Sequence, residues 1–338
     1  PTTADQLLEL YEVDTEKWVV VSKRVNVWTS GDQLQYQTRL GLARRIASVE
    51  AARPAGQVRR VVRHYAPVSE TVDQRWLIVN DHHHPFVSKP FESALRRLIA
   101  DVKPTHGLAN GDLVDLPEPS RHPSNPAWTA SVNDGLQSAH DGLVAYRDAW
   151  NETIWSVLPG NHDLRSRNAI LSQLKALYGV KPAQLRDEDP LPPSLDLPTL
   201  LRLDEIGVKY LEPPRDGEYH SAELLIGKSL VASHGTKTGK SPGFAELEKA
   251  EHDVLFGHTH HQSIVRVARW SPGASRPRFR TAVENGCACD LAGMGYVRKP
   301  TWINGGSVVD VYGDGEVHGE QFQFDGVAIR LRGKEYRA

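Results

Sequence analysis

The stretch that most constrains the fold is Gly160-Asn161-His162-Asp163, which follows the apolar run 154–158 and Pro159. A short apolar run that ends in Pro-Gly and two metal-competent side chains is typical of a buried strand whose carboxyl end opens into a cleft. Alone, such a tetrapeptide is weak evidence, because Gly-Asn turns with a chance histidine are common. Its weight comes from other strand ends of the same kind.

Four further apolar, strand-like runs also end in residues that can bind metal. These residues are Asp81, His82 and His83 after 76–79, Asp112 after 106–109, His234 after 229–232, and His258 and His260 after 254–256. Buried polar groups are costly unless each one finds a partner. Five such strand ends are therefore better explained by a shared binding site than by core packing.

The chain between these runs alternates strands with helices. Strands at 76–80, 106–110 and 154–158 are separated by helical patterns at 91–102 and about 131–151. This βαβαβ order predicts a sheet whose strand carboxyl ends gather on one edge. The pattern continues with a helix at 168–178, strands at 207–211, 222–226 and 229–233, a helix at 244–250, and strands at 253–256 and 263–269. Residues 270–338 are interpreted as closing a second sheet and supplying substrate-facing loops.

The five motifs, in order and spelling, resemble the signature of the calcineurin-like metallophosphoesterase superfamily over about residues 75–262. The resemblance implies an α/β fold for residues 71–338, a four-layer α/β/β/α sandwich with two mixed β-sheets. Residues 1–70 are predicted to form a small N-terminal module of unknown role, with a helix at 4–11 and strands at 18–28 and 34–40. This leader is similar to segments that precede phosphoesterase domains in bacteriophage proteins.

The resemblance also implies a pair of divalent metal ions. Asp112 would bridge the two ions; Asp81, His83 and His260 would complete the ligands of the first, and Asn161, His234 and His258 those of the second. Mixed nitrogen and oxygen ligands suit manganese, iron or zinc better than magnesium alone. We expect manganese, with iron, zinc or nickel as alternatives.

Two more residues take catalytic roles by resemblance. His162 would protonate the leaving-group oxygen, a task for which imidazoles in general are suited. Asp115 lies where phosphoprotein phosphatases carry the carboxylate that orients this histidine, although a loop carboxylate that caps its own turn is the alternative. Those phosphatases continue with Arg-Gly where this chain has Leu116-Pro117. The sequence is therefore closer to the phosphodiesterase and repair-nuclease branches.

The remaining polar residues near the motifs are given lesser roles. His82, His84, His261 and Asp163 are predicted to support the ligands or to lie at the surface. The segment Gly235–Ser241 is one residue short of Gly-x4-Gly-Lys-Ser, so it is not read as a P-loop; its two lysines contact substrate phosphate or lie in a solvated turn. Cys287 and Cys289 lack the second pair of a structural zinc site and are expected to be an incidental, reduced pair.

The net charge of −2 indicates no global attraction to nucleic acid or membranes. Two local runs are basic: seven arginines between Arg39 and Arg63 against the single acid Glu50, and a second run without an acidic residue. The second run comprises Arg266, Arg269, Arg276, Arg278 and Arg280. Each run either faces phosphates or lies on a solvated surface. The sequence has no apolar run of membrane-spanning length and no secretory leader, so a cytoplasmic location and no membrane partner are expected.

The leading hypothesis is a phosphodiester hydrolase that acts on nucleic acid, DNA or RNA, or on nucleotides. It would use in-line attack by a metal-activated water, with His162 assisting the leaving group. One alternative is a phosphomonoesterase acting on a phosphoprotein, a nucleotide or a metabolite. The other is a nucleic-acid-binding module in which the metal centre is structural. The sequence leaves the oligomeric state open.

Overall fold

A computed structural model describes the backbone of residues 18–30 and 33–44, and residues 72–116, 131–183, 191–213, 218–270, 273, 275–293 and 300–338 with their side chains. The chain divides into two compact units, Pro1–Tyr65 and Ala66–Ala338. In the first unit β1 (Trp18–Ser30) and β2 (Gln33–Arg44) form an antiparallel hairpin, which confirms the two predicted strands. The predicted helix at 4–11 and the arginine side chains from Arg39 to Arg63 lie outside this description.

Six strands make the first sheet of the larger unit. They are β3 (Val72–Val79), β4 (His106–Asn110), β5 (Ile154–Leu158), β6 (Lys209–Tyr210), β12 (Gly305–Tyr312) and β13 (Val317–Gln323). Their order is β13-β12-β3-β4-β5-β6. The strands from β3 to β6 run parallel, whereas β12 is antiparallel to both of its neighbours. The predicted βαβαβ arrangement, with its strand carboxyl ends on one edge, is confirmed.

The second sheet has five strands. They are β7 (Glu223–Ile226), β8 (Leu230–Ser233), β9 (Asp253–Phe256), β10 (Gln262–Arg269) and β11 (Arg278–Asn285). Their order is β10-β11-β9-β8-β7, with parallel pairs at the centre and antiparallel strands at both edges. A separate hairpin joins β14 (Ala328–Leu331) and β15 (Lys334–Arg337).

Five α-helices lie in the described part of the larger unit. They are α1 (Lys89–Val102), α2 (Val132–Ala149), α3 (Arg165–Gln173), α4 (Leu197–Leu200) and α5 (Pro242–Lys249). The first two have well-defined starts, because Ser88 caps α1 and Ser131 forms a reciprocal capping box with Asp134 at α2. None of the described helices has both the length and the hydropathy needed to cross a bilayer.

Three apolar clusters hold the layers together. Alternate side chains of β3 face opposite ways: Leu77 and Val79 pack with α1 and α2, whereas Trp76 and Ile78 pack toward the second sheet. The other face of the second sheet packs on α5 through Leu247. The order of layers is therefore helices, first sheet, second sheet, helix, which confirms the predicted four-layer α/β/β/α sandwich with two mixed sheets.

Two expectations about the elements were wrong. Residues 270–338 complete the second sheet only through β11, because β12 pairs with β3 of the first sheet. Residues 305–311 are buried throughout, because β12 lies inside a sheet that is covered on both faces and has β3 and β13 as its neighbours. The helix expected at 168–178 begins earlier, at Arg165, and ends at Gln173, with a 3₁₀ turn at Lys175–Leu177.

Candidate metal centre

The predicted ligands reach one place because parallel strands end together. In the first sheet Val79 pairs with Ala109 and Asn110 with Leu158, so the loops after β3, β4 and β5 leave the same edge. The loops after β8 and β9 leave the second sheet in the same way. The two sets face each other across the gap between the sheets, and all seven predicted ligands meet there.

The backbone at these loops is unusual. Nine described residues other than glycine have positive φ, and five of them are predicted ligands: Asp81, His83, Asp112, His258 and His260. Such conformations cost about 1–3 kcal/mol each and persist where surrounding structure enforces them. Their concentration on predicted ligand residues indicates that folding stability has been given up for the position of these side chains.

Two motif glycines are explained by close approach. A Cβ atom on Gly160 would lie 2.2 Å from the Asp112 Oδ1 atom, and one on Gly257 would lie 2.2 Å from the Asp81 Oδ2 atom. No side chain fits at either distance. The glycines that precede Asn161 and His258 therefore make room for the carboxylates of the site.

Three predicted ligands form the first group. The His260 Nε2 atom lies 3.3 Å from Asp81 Oδ1 and 3.1 Å from His83 Nε2. Ligand atoms at about 2.0–2.2 Å from one metal ion, at ordinary coordination angles, lie roughly 3.0–3.5 Å from one another. Two separations of this group lie in that range, and the third, 3.9 Å between His83 Nε2 and Asp81 Oδ1, corresponds to a wider angle at a shared ion.

The second group comprises Asp112, His234, His258 and Asn161. The His234 Nε2 atom lies 3.3 Å from Asp112 Oδ2 and 3.0 Å from Asn161 Oδ1. The ligand atoms of Asp112, His234 and His258 all lie within 4.8 Å of one another. The donors are again mixed nitrogen and oxygen, which suits a divalent transition metal.

Asp112 connects the two groups. Its Oδ2 atom lies 3.3 Å from His234 Nε2 in the second group and 3.7 Å from His83 Nε2 in the first. Its Oδ1 atom accepts a hydrogen bond of 2.8 Å from the His162 backbone N–H. The carboxylate is thus held in the position that a bridging ligand needs, and the donor set fits a pair of metal ions.

Asp115 binds two imidazoles through one oxygen. The His162 Nδ1 atom lies 2.7 Å and the His83 Nδ1 atom 2.9 Å from Asp115 Oδ1. With Nδ1 so engaged, both rings turn Nε2 toward Asp112, at 3.9 Å and 3.7 Å from its Oδ2 atom. The alternative of a carboxylate capping only its own turn does not describe these contacts.

Arg165 was missed by the sequence analysis. It stands in the first turn of α3 and donates hydrogen bonds of 2.7 Å to the Asp115 carbonyl and 2.8 Å to His162 Nε2. A guanidinium therefore lies against the predicted catalytic imidazole even though the Arg-Gly pair of phosphoprotein phosphatases is absent. The one available signal was its place, three residues beyond His162.

The carboxylates and two of the histidines form charged pairs. Burial raises the pKa of the Asp81 and Asp112 carboxyls, but His260 beside the first and His234 beside the second outweigh it, so both pKa values lie below the usual range. Burial lowers the pKa of the His234 imidazole, yet Asp112 outweighs this and raises it to about 9. The candidate site thus places negatively charged carboxylates next to positively charged imidazoles in a buried environment.

The spare residues of the motifs do not reach the ligand groups. His82 and His84 are buried on the helix side, where the His84 Nδ1 atom lies 2.9 Å from the Ser138 hydroxyl; burial lowers the pKa of His82 to about 4. His261 contacts the Thr301 hydroxyl. Asp163 accepts backbone hydrogen bonds from Gly160, Leu113 and Val114, joining the loops after β4 and β5.

The two cysteines lie closer to the site than an incidental pair would. Both are fully buried and form no disulfide bond with each other. The Cys289 Sγ atom lies 4.0 Å from His260 Nδ1. The ring of Trp302 packs edge-on against the same imidazole, with centroids 4.2 Å apart. His260 is therefore held from behind by sulfur and from the side by indole.

A cleft of about 300 Å³ opens over the ligand groups. It is lined by Asp112, His162, Thr238, Gly239, His258, Thr259, His260, His261 and Trp302. The loop that carries Thr238 is tied down by Glu246, whose carboxylate accepts hydrogen bonds from the backbone N–H groups of Thr236 and Lys237. The loop rejected as a P-loop thus forms a wall of the cleft.

No known family model matches the chain. It is 22% identical over 254 residues to the Gene 54 protein of Mycobacterium phage D29, a match that covers 72% of this chain and 91% of the phage protein. Among solved structures, Vps29 of Chaetomium thermophilum is similar with a TM-score of 0.38 and 11% identity, over 79% of this chain and 94% of that one. The cold-active protein tyrosine phosphatase of a Shewanella species has a TM-score of 0.28 and 12% identity, over 88% and 99%. Because both scores are below 0.5, the fold assignment depends on the strand order described above and not on these likenesses.

Proposed function

We propose that this chain is a binuclear-metal phosphohydrolase that cleaves phosphodiester bonds, with nucleic acid or a nucleotide as substrate. The observation that carries the proposal is the place of Asp112, whose Oδ2 atom lies between His234 of one ligand group and His83 of the other. Manganese suits the mixed donors, as do iron and zinc. All seven positions of the ligand pattern that the resemblance implies carry a side chain that can bind a metal ion.

When bound, two divalent ions would neutralise charge on the phosphate and lower the pKa of a water molecule. The chain's own residues do the rest. His162 lies at the cleft with Nε2 toward Asp112 and accepts a hydrogen bond from Arg165 there. To act as the acid it must release that bond and take up a proton on Nε2, which it then gives to the leaving oxygen. Asp115 holds the His162 ring through Nδ1 and thereby fixes which nitrogen faces the substrate.

The decisive assay is hydrolysis of bis(p-nitrophenyl) phosphate by protein loaded with manganese, iron or zinc. We expect turnover that is lost on chelation and in Asp112→Asn. His162→Ala should lower kcat by about 100-fold or more, as expected for loss of a general acid, with metal content unchanged. Activity that survives both chelation and Asp112→Asn would defeat the proposal.

The same assay with p-nitrophenyl phosphate separates a diesterase from a monoesterase. We expect a higher kcat/KM for the diester. A preference for the monoester would favour the phosphatase alternative. Oligonucleotide binding that is independent of metal, with no hydrolysis of either ester, would favour a binding module.

A further inference from the structure

The hairpin of β10 and β11 leads away from the candidate metal centre. At one end Gln262 pairs with Asn285, two residues beyond the predicted ligand His260; at the other end Arg269 pairs with Arg278. Seven steps of about 3.3 Å along a strand place the far end roughly 23 Å from the near end. We call this far end the hairpin tip. It comprises Arg269, Trp270, Arg276, Arg278 and Phe279.

The hairpin tip carries positive charge with no compensating acid. Arg269 and Arg278 stand directly opposite each other, an arrangement of like charges that is destabilising in an antiparallel pair. Within the described residues, the guanidinium groups of the three tip arginines make no ion pair or hydrogen bond, whereas those of Arg330 and Arg332 are both paired with carboxylates. Residues 261–283 contain no aspartate or glutamate at all. The tip is therefore suited to an anion from outside the chain.

One arginine of the run has a different role. The Arg280 guanidinium donates to the backbone carbonyls of Ala250 and His252, and so ties β11 to the segment before β9. The basic run is thus divided between a structural arginine and exposed arginines that are available for binding.

Large aromatic side chains accompany the free arginines. Trp270 is 66% exposed and Phe279 is 64% exposed. Neighbouring residues of a strand point to opposite faces, so Phe279, which pairs with Ala268, lies on the other face of the hairpin from the Arg269–Arg278 pair, on the face that carries Arg266. A nucleic-acid strand that contacts both faces passes over the free edge of β10. Exposed aromatics beside cations match the two parts of an unpaired nucleotide chain, because bases stack on rings while phosphates bind guanidinium groups. Paired bases in a duplex offer no free face for such stacking.

We propose that the hairpin tip binds single-stranded nucleic acid. The proposal rests on the proposed function in that it names the substrate class: a polynucleotide that contacts the tip while its scissile phosphodiester lies in the cleft. The two ends of the hairpin are roughly 23 Å apart. Each nucleotide adds about 3.4 Å along a duplex strand, so this span corresponds to several nucleotides. A single nucleotide could not occupy both places.

Binding can be measured apart from catalysis. The full chain in EDTA is titrated against a fluorescein-labelled, 20-nucleotide single-stranded DNA, read by fluorescence anisotropy at several salt concentrations. We expect Arg269→Gln/Arg278→Gln to weaken binding about tenfold. The slope of log affinity against log salt should fall by about 1.4, since two phosphate contacts are lost.

The matched control is Arg330→Gln/Arg337→Gln. It removes the same charge from exposed arginines that are paired with carboxylates in the β14–β15 hairpin. We expect it to bind the DNA like the unaltered chain. The tip variant should also unfold at no lower temperature than the unaltered chain, because it removes a repulsive pair.

The aromatic contribution is tested with Phe279→Ala, which should weaken binding of the single strand more than binding of the corresponding duplex. Unaltered affinity of the arginine variant for the single strand, or an equal loss in the control variant, would overturn the proposal.

Failure of the two proposals can be told apart. The tip variant should hydrolyse bis(p-nitrophenyl) phosphate at the unaltered rate, because the tip is remote from the cleft. If the protein hydrolyses this ester but its DNA affinity does not change when the tip arginines are replaced, only the proposal for the tip is overturned. If DNA affinity falls in the tip variant but the protein hydrolyses no phosphate ester, only the proposal of a hydrolase is overturned.

Discussion

Asp115 shows how much a single side chain contributes to this site. One of its oxygens orients both a predicted metal ligand, His83, and the predicted acid, His162. Burial raises the pKa of the Asp115 carboxyl, but its bonds to His162 and His83 outweigh burial and hold that pKa far below the usual range. The carboxylate is consequently ionised at any working pH, and it fixes the tautomer of both rings.

The variant Asp115→Asn should therefore distinguish a residue that orients the two imidazoles from a residue that binds metal directly. The amide keeps an acceptor oxygen but loses the charge that favours both imidazole N–H donors. We expect kcat on bis(p-nitrophenyl) phosphate to fall about 10- to 100-fold, in line with other residues that orient metal ligands. Metal content by elemental analysis should decrease less than in Asp112→Asn, and an equal loss of metal in both variants would contradict this role.

Arg165 gives a second prediction for single residues. Its guanidinium lies 2.8 Å from His162 Nε2, the atom that faces the cleft, so it is within reach of a substrate phosphate. Arg165→Ala should raise KM for the diester and weaken inhibition by inorganic phosphate about tenfold, since hydrogen bonds to charged groups contribute about 1.5–3 kcal/mol. Arg165→Lys should restore part of the phosphate affinity, because it keeps the charge without the forked geometry.

The control for Arg165 is Arg167→Ala, two residues along the same helix. The Arg167 guanidinium packs over the Tyr178 ring in a separate pocket of the larger unit. Phosphate inhibition should be unchanged in this variant. If Arg165→Ala lowers the unfolding temperature yet leaves phosphate inhibition unaltered, the role of Arg165 is structural.

Sequence reasoning could name the residues that meet at the candidate site, because their types and spacings are local properties of five strand ends that together resemble a known signature. It could not reach Arg165, whose importance arises from the direction in which α3 leaves the loop after Asp163. Nor could it place Cys289 behind His260, because that contact joins segments 29 residues apart in the chain. Asp115 also acts through His162, but the resemblance assigned it that place in a motif, whereas Arg165 and Cys289 belong to no motif.

Among the elements, β12 shows where local pattern fails. Its sequence predicts a strand, and the strand is present at Gly305–Tyr312, but nothing local says which sheet it joins. In the structure it inserts between β3 and β13, with Asp310 directly opposite Arg75. Register was decided by burial on both faces and by this charged pair, which are properties of the assembled sheet.

The Asp310 carboxylate is a good test of that pairing. It accepts hydrogen bonds of 2.6 Å from Arg75 Nε and 2.9 Å from Arg332 Nη2, so it links β3, β12 and the β14–β15 hairpin. Asp310→Asn should lower the free energy of unfolding by about 1–3 kcal/mol near neutral pH. The range allows for partial exposure of both arginines.

The loss of unfolding free energy in Asp310→Asn should depend on pH, and the direction in which the Asp310 pKa is shifted predicts how. Burial raises the pKa of the Asp310 carboxyl, but Arg75 and Arg332 outweigh it and the pKa is lowered. A lowered pKa in the folded state adds stability above the unfolded pKa, and this stability is lost as pH falls through the folded value. Urea unfolding of both proteins should show a constant difference from pH 7 to about 5 that shrinks below about pH 4. A difference that grows in acid would contradict the assignment.

For the whole molecule, the candidate metal centre is also a junction between layers. The first sheet supplies Asp81, His83, Asp112 and Asn161, while the loops of the second sheet supply His234, His258 and His260. An ion that bound both sets would join the two sheets, and it would do so only in the folded chain. The stability of the sandwich should therefore depend on metal, because a ligand that binds only the folded state stabilises it.

Thermal unfolding with and without manganese tests this dependence. At a free metal concentration 100 times Kd, one ion adds about 2.7 kcal/mol. For a unit of this size we expect a rise in Tm of about 5 °C per ion. The same titration with Asp112→Asn should give a much smaller rise, because the oxygen that lies between the two groups is replaced by an amide. Asp310→Asn supplies the control, since it weakens the first sheet away from the ligands and should keep the full metal-dependent rise from a lower starting Tm. An equal rise in Asp112→Asn would mean that the stabilising ion binds elsewhere, and the two sheets would then be held by their apolar interface and by hydrogen bonds such as Asn110 to Ser233 and Asn285 to Ile78, without a metal ion at this site.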